Sequence, residues 1–466
     1  MIPAVPTSLA RRLGPLDAAA IIISNVIGGG ILFFSPGIAA NVPNPWLFLA
    51  TWIAGGALAL AGAMAYAELA VMRPKAGGEY VYLDAAFGRG AAFLTGWTSF
   101  VAGFSGAIAS NAVIFAFYLG RFVPGASNNA PLLVVPLPWV PLTVSRQAVV
   151  AIVLIALMAA IHVRGIGPGR VVGNVLAALK VTALVAFIAI GFSFGTGSTS
   201  NFAASAGPVA APSWLLAMVP VMFAYTGWNA ASYVAEEIRD PARNLPRALA
   251  IGTGAVIAIY VFLNLLYLYV LPIDQLAAVR GSVLDVVADR LLGARAGDIM
   301  GIVSLVSLAA SISAMTIAGP RVYYAMARDG VFFAPAAQVH PRFRTPAKSI
   351  VAQSIWSTVL VLSGGADALI RYTGFAVILF AGVAVSALFV LRAREPNAPR
   401  RFTALGYPIV PGVFAGVSFL IVANALYGDP RVSGAGVLII LAGLPVYLIF
   451  ARRSRPTAAG HRMVGS

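Results

Sequence analysis

Two short stretches offer binding chemistry built from backbone rather than from reactive side chains. Residues 24–33 read SNVIGGGILF, with Gly28, Gly29 and Gly30 together inside an apolar run, and residues 223–229 read FAYTGWN around Gly227. Each helix-interior glycine costs about 1 kcal/mol relative to alanine. Three in a row therefore point to a helix that is broken there. A break frees N–H groups and carbonyls, and in hydrocarbon each unsatisfied group costs several kcal/mol. The half-helix that begins after Gly28 presents free N–H groups and a positive dipole end to an anion. The half-helix that ends near Phe223 presents free carbonyls to a cation. Together the two breaks suit a zwitterion that carries one carboxylate and one ammonium. The plainer reading is close helix packing by small residues; a matched second break in FAYTGWN weighs against it.

Charged side chains add a second set of candidates. Lys180 lies within NVLAALKVTALVAF, about ten residues, or roughly 15 Å, from where that apolar segment begins near Val171. A lysine stem snorkels less far than that, so a buried cation with a task is expected. Glu68, Glu236 and Glu237 sit near segment ends, where two readings stay open: ion pairs with neighbouring arginines, or a gate that opens when those pairs break. Arg371, close to the start of its segment, is expected to snorkel.

Other chemistries lack their residues. There is no Cys, and His162, His340 and His461 are scattered, so neither a metal site nor a nucleophile–base pair is expected. No HExxH and no GxxxxGK[ST] pattern occurs, which leaves neither a zinc enzyme nor an ATP-driven pump in view. No cofactor and no nucleic acid is expected.

The elements that must hold these residues are membrane helices. Hydrophobic residues make up 60% of the 466, charged residues 10%, and mean hydropathy is +0.90. That much apolar surface needs lipid as its solvent. The apolar stretch after Arg11 and Arg12 is too long for a cleavable signal and reads as the first span. Twelve spans are expected, near 16–41, 46–71, 91–120, 147–163, 171–194, 214–236, 247–271, 297–327, 348–363, 366–391, 407–427 and 434–451. GTGSTSNFAASAGPVAAP (195–212) reads as a flexible loop.

The basic residues test that count. With the N-terminus in the cytoplasm, only Arg121, Arg146, Arg280, Arg290, Arg295 and Arg431 fall outside, and Lys180 and Arg371 fall within spans. The rest of the 31 Lys and Arg lie inside. A miscounted span would flatten this contrast, so both termini are expected to be cytoplasmic. The net charge of +16 follows from this bias and from contact with anionic lipid. Arg far outnumbers Lys, which suggests a bacterial source and hence an inner-membrane protein.

Gly28 falls in span one and Gly227 in span six. The chain then divides into a repeat near 14–194, a second near 213–393, and two further helices near 407–452, within one transmembrane domain over 1–466. Five helices per repeat is odd, so the second repeat enters the membrane from the opposite side. The fold expected is an all-α polytopic membrane protein with a 5+5 inverted repeat and discontinuous helices one and six.

At these residues the chain resembles the amino acid–polyamine–organocation superfamily, and within it the L-type amino acid transporters and their bacterial relatives. NVIGGGILFFSPG is similar to the family's first-helix pattern, and FAYTGWNAASYVAEEIRDPARNLPRAL to its sixth-helix signature and following loop. YAELAVMRPKAGGEYVYL, PRVYYAMARDGVFF and VHPRFRTPAKSIVAQSIW resemble the segments after helix two, at the end of helix eight and at the start of helix nine. The match runs over essentially the whole chain. It implies that the carboxylate of an amino acid binds N–H groups around Gly29 and Gly30, with Gly28 also at the substrate site, and that its ammonium binds the carbonyls of Val26, Phe223 and Thr226. The Phe223 ring would close over the substrate. Lys180 would stand where sodium-coupled relatives hold an ion, tying helix five to the carbonyls of helix one and to hydroxyls of helix eight such as Ser311 or Ser313. That implies sodium-independent transport, by exchange or with protons. Three departures alter the pocket: Gly29 replaces a serine, Thr226 replaces a glycine, and GFAVILFAG in helix ten is apolar where relatives often carry Asn or Asp.

The function expected is secondary transport of neutral L-amino acids by alternating access. A cationic amino acid or polyamine antiporter would want a pocket carboxylate, and spans one, three, six, eight and ten hold none at mid-membrane. A sensor or channel lacks support, since nothing resembles a signalling domain or a selectivity filter.

Overall fold

The computed structural model describes residues 9–453, apart from 139, 204–207, 294 and 365, and no side chain at 366–373, 375 or 453. Arg455, His461 and Arg462 lie outside the described residues, as does the side chain of Arg371. The chain is an all-α polytopic membrane protein. Among the described residues ten helices are long and apolar enough to cross a membrane, and two shorter apolar ones, Ala211–Ala224 and Ala347–Ser363, fall where spans six and nine are expected.

In chain order the helices are α1 (Pro15–Val26), α2 (Gly29–Phe33), α3 (Ser35–Asn41), α4 (Pro45–Met72), α5 (Glu79–Phe87), α6 (Arg89–Thr98) and α7 (Phe104–Leu119). There follow α8 (Arg146–Val163), α9 (Ile166–Phe194), α10 (Ala211–Ala224), α11 (Ala230–Tyr233), α12 (Pro241–Val270), α13 (Ile273–Ala278), α14 (Val283–Leu292) and α15 (Ala296–Arg328). The last are α16 (Ala347–Ser363), α17 (Ala366–Arg394), α18 (Ile409–Gly428), α19 (Pro430–Leu441) and α20 (Gly443–Arg453). A π-helical turn, Ser99–Gly103, joins α6 to α7 within span three. Helix starts follow local chemistry. The Asn44 side chain accepts the Leu47 N–H at the head of α4, and Ser145 accepts that of Ala148 at the head of α8. Proline at the first turn of α1, α4, α10 and α12 sits where no helical N–H is needed.

α1 is the axis of the bundle and packs against α9, α12 and α15. α15 is buried along nearly its whole length, which fits a helix apolar on every side. The end of the bundle that carries Arg12, Arg239, Arg321, Arg328 and Arg392 is called the arginine-rich end below.

Five features were not expected from the sequence. The link after α4 folds back as α5, the link after α7 forms a hairpin of two strands (Pro131–Val135 and Leu142–Ser145), and two short helices, α13 and α14, follow α12. Lys180 lies deeper than the span boundary implied, because α9 begins at Ile166 rather than near Val171. The stretch 195–212 is not uniformly loop: Thr199–Phe202 forms a 3-10 turn, and the Ser198 N–H donates to the Tyr269 carbonyl at 2.8 Å.

Candidate functional site

Both breaks lie where the glycines are. α1 stops at Val26 and the chain restarts at Gly29 as α2, while α10 stops at Ala224 and restarts at Ala230 as α11. The two breaks touch. Gly227 has φ +101°, and a Cβ there would sit 2.8 Å from the Asn25 side-chain nitrogen, so only glycine lets the breaks meet. A Cβ on Gly30 would lie 3.1 Å from the Ala224 Cα, which brings the start of α2 against the end of α10. Tyr260 of α12 joins the two: its hydroxyl lies 2.9 Å from the Val26 carbonyl and 3.1 Å from that of Ala224, and it can donate to either.

The remaining carbonyls of the first break are met from α9 and α15. The Lys180 side chain is fully buried, and its ammonium donates to the carbonyls of Ser24, at 3.2 Å, and Ile27. Ser307 donates to the Ile27 carbonyl at 3.1 Å, and Ser311 to that of Asn25 at 3.5 Å. The lysine therefore meets helix one as expected but not the hydroxyls of helix eight. Among the described residues Ser311 reaches helix one on its own, and Ser313 pairs instead with His162 Nε2 at 2.9 Å. A serine can serve a freed carbonyl directly, so no cation is needed between them.

One expected acceptor is already engaged. The Phe223 carbonyl receives the Thr226 N–H at 2.9 Å and the Thr226 hydroxyl at 2.6 Å, which uses both of its lone pairs. Thr226 thus caps the α10 end itself. Of the three carbonyls expected to meet an ammonium, Thr226 remains, and Val26 keeps one lone pair beside the Tyr260 hydroxyl.

A cavity of about 380 Å³ lies over the breaks. Asn25, Val26, Gly28, Gly29, Gly30, Phe34, Ser110, Asn111, Phe223, Thr226 and Ser311 line it. The Phe223 ring packs on that of Phe34, with centroids 5.9 Å apart. A smaller cavity of about 100 Å³ continues toward the arginine-rich end and shares Asn25, Phe223, Thr226 and Met315 with the first. Glu79 lines this second cavity. The expectation concerned spans one, three, six, eight and ten, and this carboxylate comes from outside them. It escaped a search of spans because it stands at the head of α5, in the link that folds back into the bundle.

Ion pairs cross the arginine-rich end. Glu237 is fully buried against Arg321, Nε to Oε1 at 2.7 Å and Nη2 to Oε2 at 3.1 Å. Its carbonyl accepts the N–H groups of Arg12 and Leu13, at 2.9 and 3.0 Å. Glu236 pairs with Arg328 at 3.3 Å and accepts the Ala76 N–H at 3.2 Å. Glu68 receives Arg392 at 2.8 and 2.6 Å, Arg400 at 3.4 Å and the Ala404 N–H at 2.7 Å. Residues that sequence reasoning missed include Tyr260, Glu79, Asn25 and Asn111. The two asparagines were findable as polar groups inside apolar spans. Tyr260 carried no signal, since its role depends on a contact across helices.

Replacing Phe223 with alanine should leave the fold intact, since the Phe34 contact is worth about 0.5–1.5 kcal/mol. Uptake into liposomes should fall at least about tenfold, equal to about 1.4 kcal/mol. A variant that transports at the wild-type rate would show that the ring closes nothing.

Two touching helix breaks at the centre of an apolar bundle, with a cavity over them and ion pairs across one end, define a membrane transporter of the broken-helix class. The family model for amino acid permeases matches residues 13–451, and the chain belongs to that family. It is 28% identical to the serine/threonine exchanger SteT of Bacillus subtilis (strain 168), over 96% of this chain and 98% of that protein. It is 31% identical to the human large neutral amino acids transporter small subunit 2, over 95% and 81%. With the mouse b(0,+)-type amino acid transporter 1 it shares 30%, over 95% and 88%. The family and these relatives are transporters, not enzymes.

Proposed function

We propose that the protein moves neutral L-α-amino acids across the membrane by alternating access, without sodium, by exchange or with protons. The observation that carries this is the cavity of about 380 Å³ lined by both breaks. In this reading the N–H groups of Gly28, Gly29 and Gly30 hold the substrate carboxylate, and the carbonyls of Val26 and Thr226 hold its ammonium. Phe223 covers the bound molecule. Lys180 supplies the fixed cation that a sodium ion would otherwise provide. The pairs of Glu68, Glu236 and Glu237 with arginines form the gate at the arginine-rich end, which faces the cytoplasm with both termini. A bacterial inner membrane suits the arginine-rich composition. Substrate and lipid are the partners; no ATP takes part.

The names of two of the relatives, an exchanger of serine and threonine and a carrier of large neutral amino acids, favour uncharged substrates. Glu79 does not reverse this, because protein donors already hold one of its oxygens. Thermal unfolding of the purified protein tests the reading: ligands from L-alanine to L-leucine in size should raise the midpoint, since a ligand that binds only the folded state stabilises it. Stabilisation by arginine, lysine or putrescine alone would instead assign a cationic substrate.

A further inference from the structure

Glu79 is the buried carboxylate that the transport reading leaves without a task. It is 8% exposed, lines the cavity of about 100 Å³, and forms no ion pair among the described residues. The four other buried or half-buried glutamates near this end, Glu68, Glu236, Glu237 and Glu395, each meet an arginine. Its two oxygens differ. Oε1 receives the Tyr66 hydroxyl at 2.7 Å and the Asn229 amide at 2.6 Å. Oε2 has the Thr95 hydroxyl at 3.5 Å, and the Tyr233 hydroxyl also bonds to the carboxylate.

α4 presents Tyr66, α6 presents Thr95, and the second half of helix six presents Asn229 and Tyr233, with Tyr82 on α5 itself. Arginines of the helices packed on α5 are engaged elsewhere: Arg321 of α15 by Glu237, Arg392 of α17 by Glu68, and Arg394 of α17 by the Ala86 carbonyl. Burial pushes the Glu79 carboxyl above the ordinary carboxylate range, and the bonds from Tyr66, Tyr233, Thr95 and Asn229 oppose that push only in part. The cavity is polar on this side and roomy enough for waters to carry a proton to Oε2.

We propose that Glu79 Oε2 is a proton-binding site whose occupancy controls the second half of helix six. Asn229 is the coupling element. It ends the break, donates to Glu79 and to the Tyr233 hydroxyl at 3.0 Å, and directly precedes α11. An ionised Glu79 holds Asn229 by a charge-assisted bond, about twice as strong as a neutral one. Protonation at Oε2 removes the charge, weakens the bonds from Asn229 and Tyr66 together, and frees α11 to move with the seal at the arginine-rich end. The proton is bound and released without any covalent change elsewhere.

The inference rests on the transport reading, and exchange in liposomes tests the two separately. Full-length protein is reconstituted, and L-alanine, L-threonine and L-leucine are supplied together as labelled counter-substrates from about pH 5 to about pH 8. Wild-type exchange should rise as pH falls, along a single titration. Glu79→Gln should exchange at the acid-side rate throughout. Tyr66→Phe, which removes one donor to the anion, should move the midpoint up by about one pH unit. A flat wild-type profile, a Glu79→Gln variant that still titrates, or an unmoved Tyr66→Phe midpoint would overturn the proton site while leaving transport standing. If Glu79→Gln fails to fold, the Tyr66→Phe midpoint decides alone. No exchange at any pH would overturn the transport reading itself.

Discussion

Lys180→Ala should lower amino acid uptake by about a hundredfold and weaken substrate binding with it. The ammonium is fully buried and bridges α9 to the carbonyls of Ser24 and Ile27, in the last turn of α1 and just beyond it. A helix's final carbonyls have no intrahelical donor, so they depend on a partner from elsewhere. Hydrogen bonds to a charged group contribute about 1.5–3 kcal/mol each, and about 2.8 kcal/mol corresponds to a hundredfold. Ser307 still reaches Ile27 in the variant, which keeps part of the break in place but leaves Ser24 unserved. Lys180→Arg should not restore the wild-type rate, because a planar guanidinium cannot replace a compact ammonium in a fully packed site. Uptake by the wild type should be the same in sodium and in choline buffers. Clear sodium dependence, or normal uptake by Lys180→Ala, would remove the lysine from its assigned role.

The parts of this molecule that were legible in its sequence are those that lipid dictates. Apolar length fixes the spans, and glycines in an apolar run mark a break. The family motifs then placed Gly28, Gly29, Gly30, Phe223 and Thr226 around one point, and the structure brings all of them to one cavity. What the sequence hid were contacts across helices. Tyr260 looks like one more apolar-span tyrosine until its hydroxyl is seen between Val26 and Ala224. Glu79 sits in a stretch polar enough to read as a surface loop, yet α5 carries it into the bundle. Thr226 was read as a change of pocket shape, whereas its hydroxyl caps the Phe223 carbonyl and so removes an acceptor. Charge pairing was legible only as a tendency. Glu68, Glu236 and Glu237 were expected near arginines, but which arginine meets which carboxylate depends on helix rotation, which periodicity alone does not fix.

The pair of Arg321 and Glu237 should be the costliest ion pair to break. Both side chains are buried, at 2% and 0% exposure, and the guanidinium also donates to the Ile317 carbonyl at 2.7 Å. Removing one partner strands the other charge away from water, at a cost of about 3–5 kcal/mol. Glu237→Gln should therefore lower the unfolding midpoint by many degrees. Glu237 also lies in the short pairing with residues 12 and 13 that closes the arginine-rich end, so the same change should favour opening there. The chain has no Cys, so a single Thr98→Cys reports on the inner cavity without background. Its labelling by an impermeant maleimide from the arginine-rich side should speed up about tenfold, equal to about 1.4 kcal/mol of population shift. Combining Arg321→Met with Glu237→Leu removes both charges together and should recover most of the lost stability, because no unpaired charge remains. The double variant should still label fast, since the tie that held the end closed is gone. Wild-type labelling rates in both variants would mean that the pair stabilises the fold but does not gate the path.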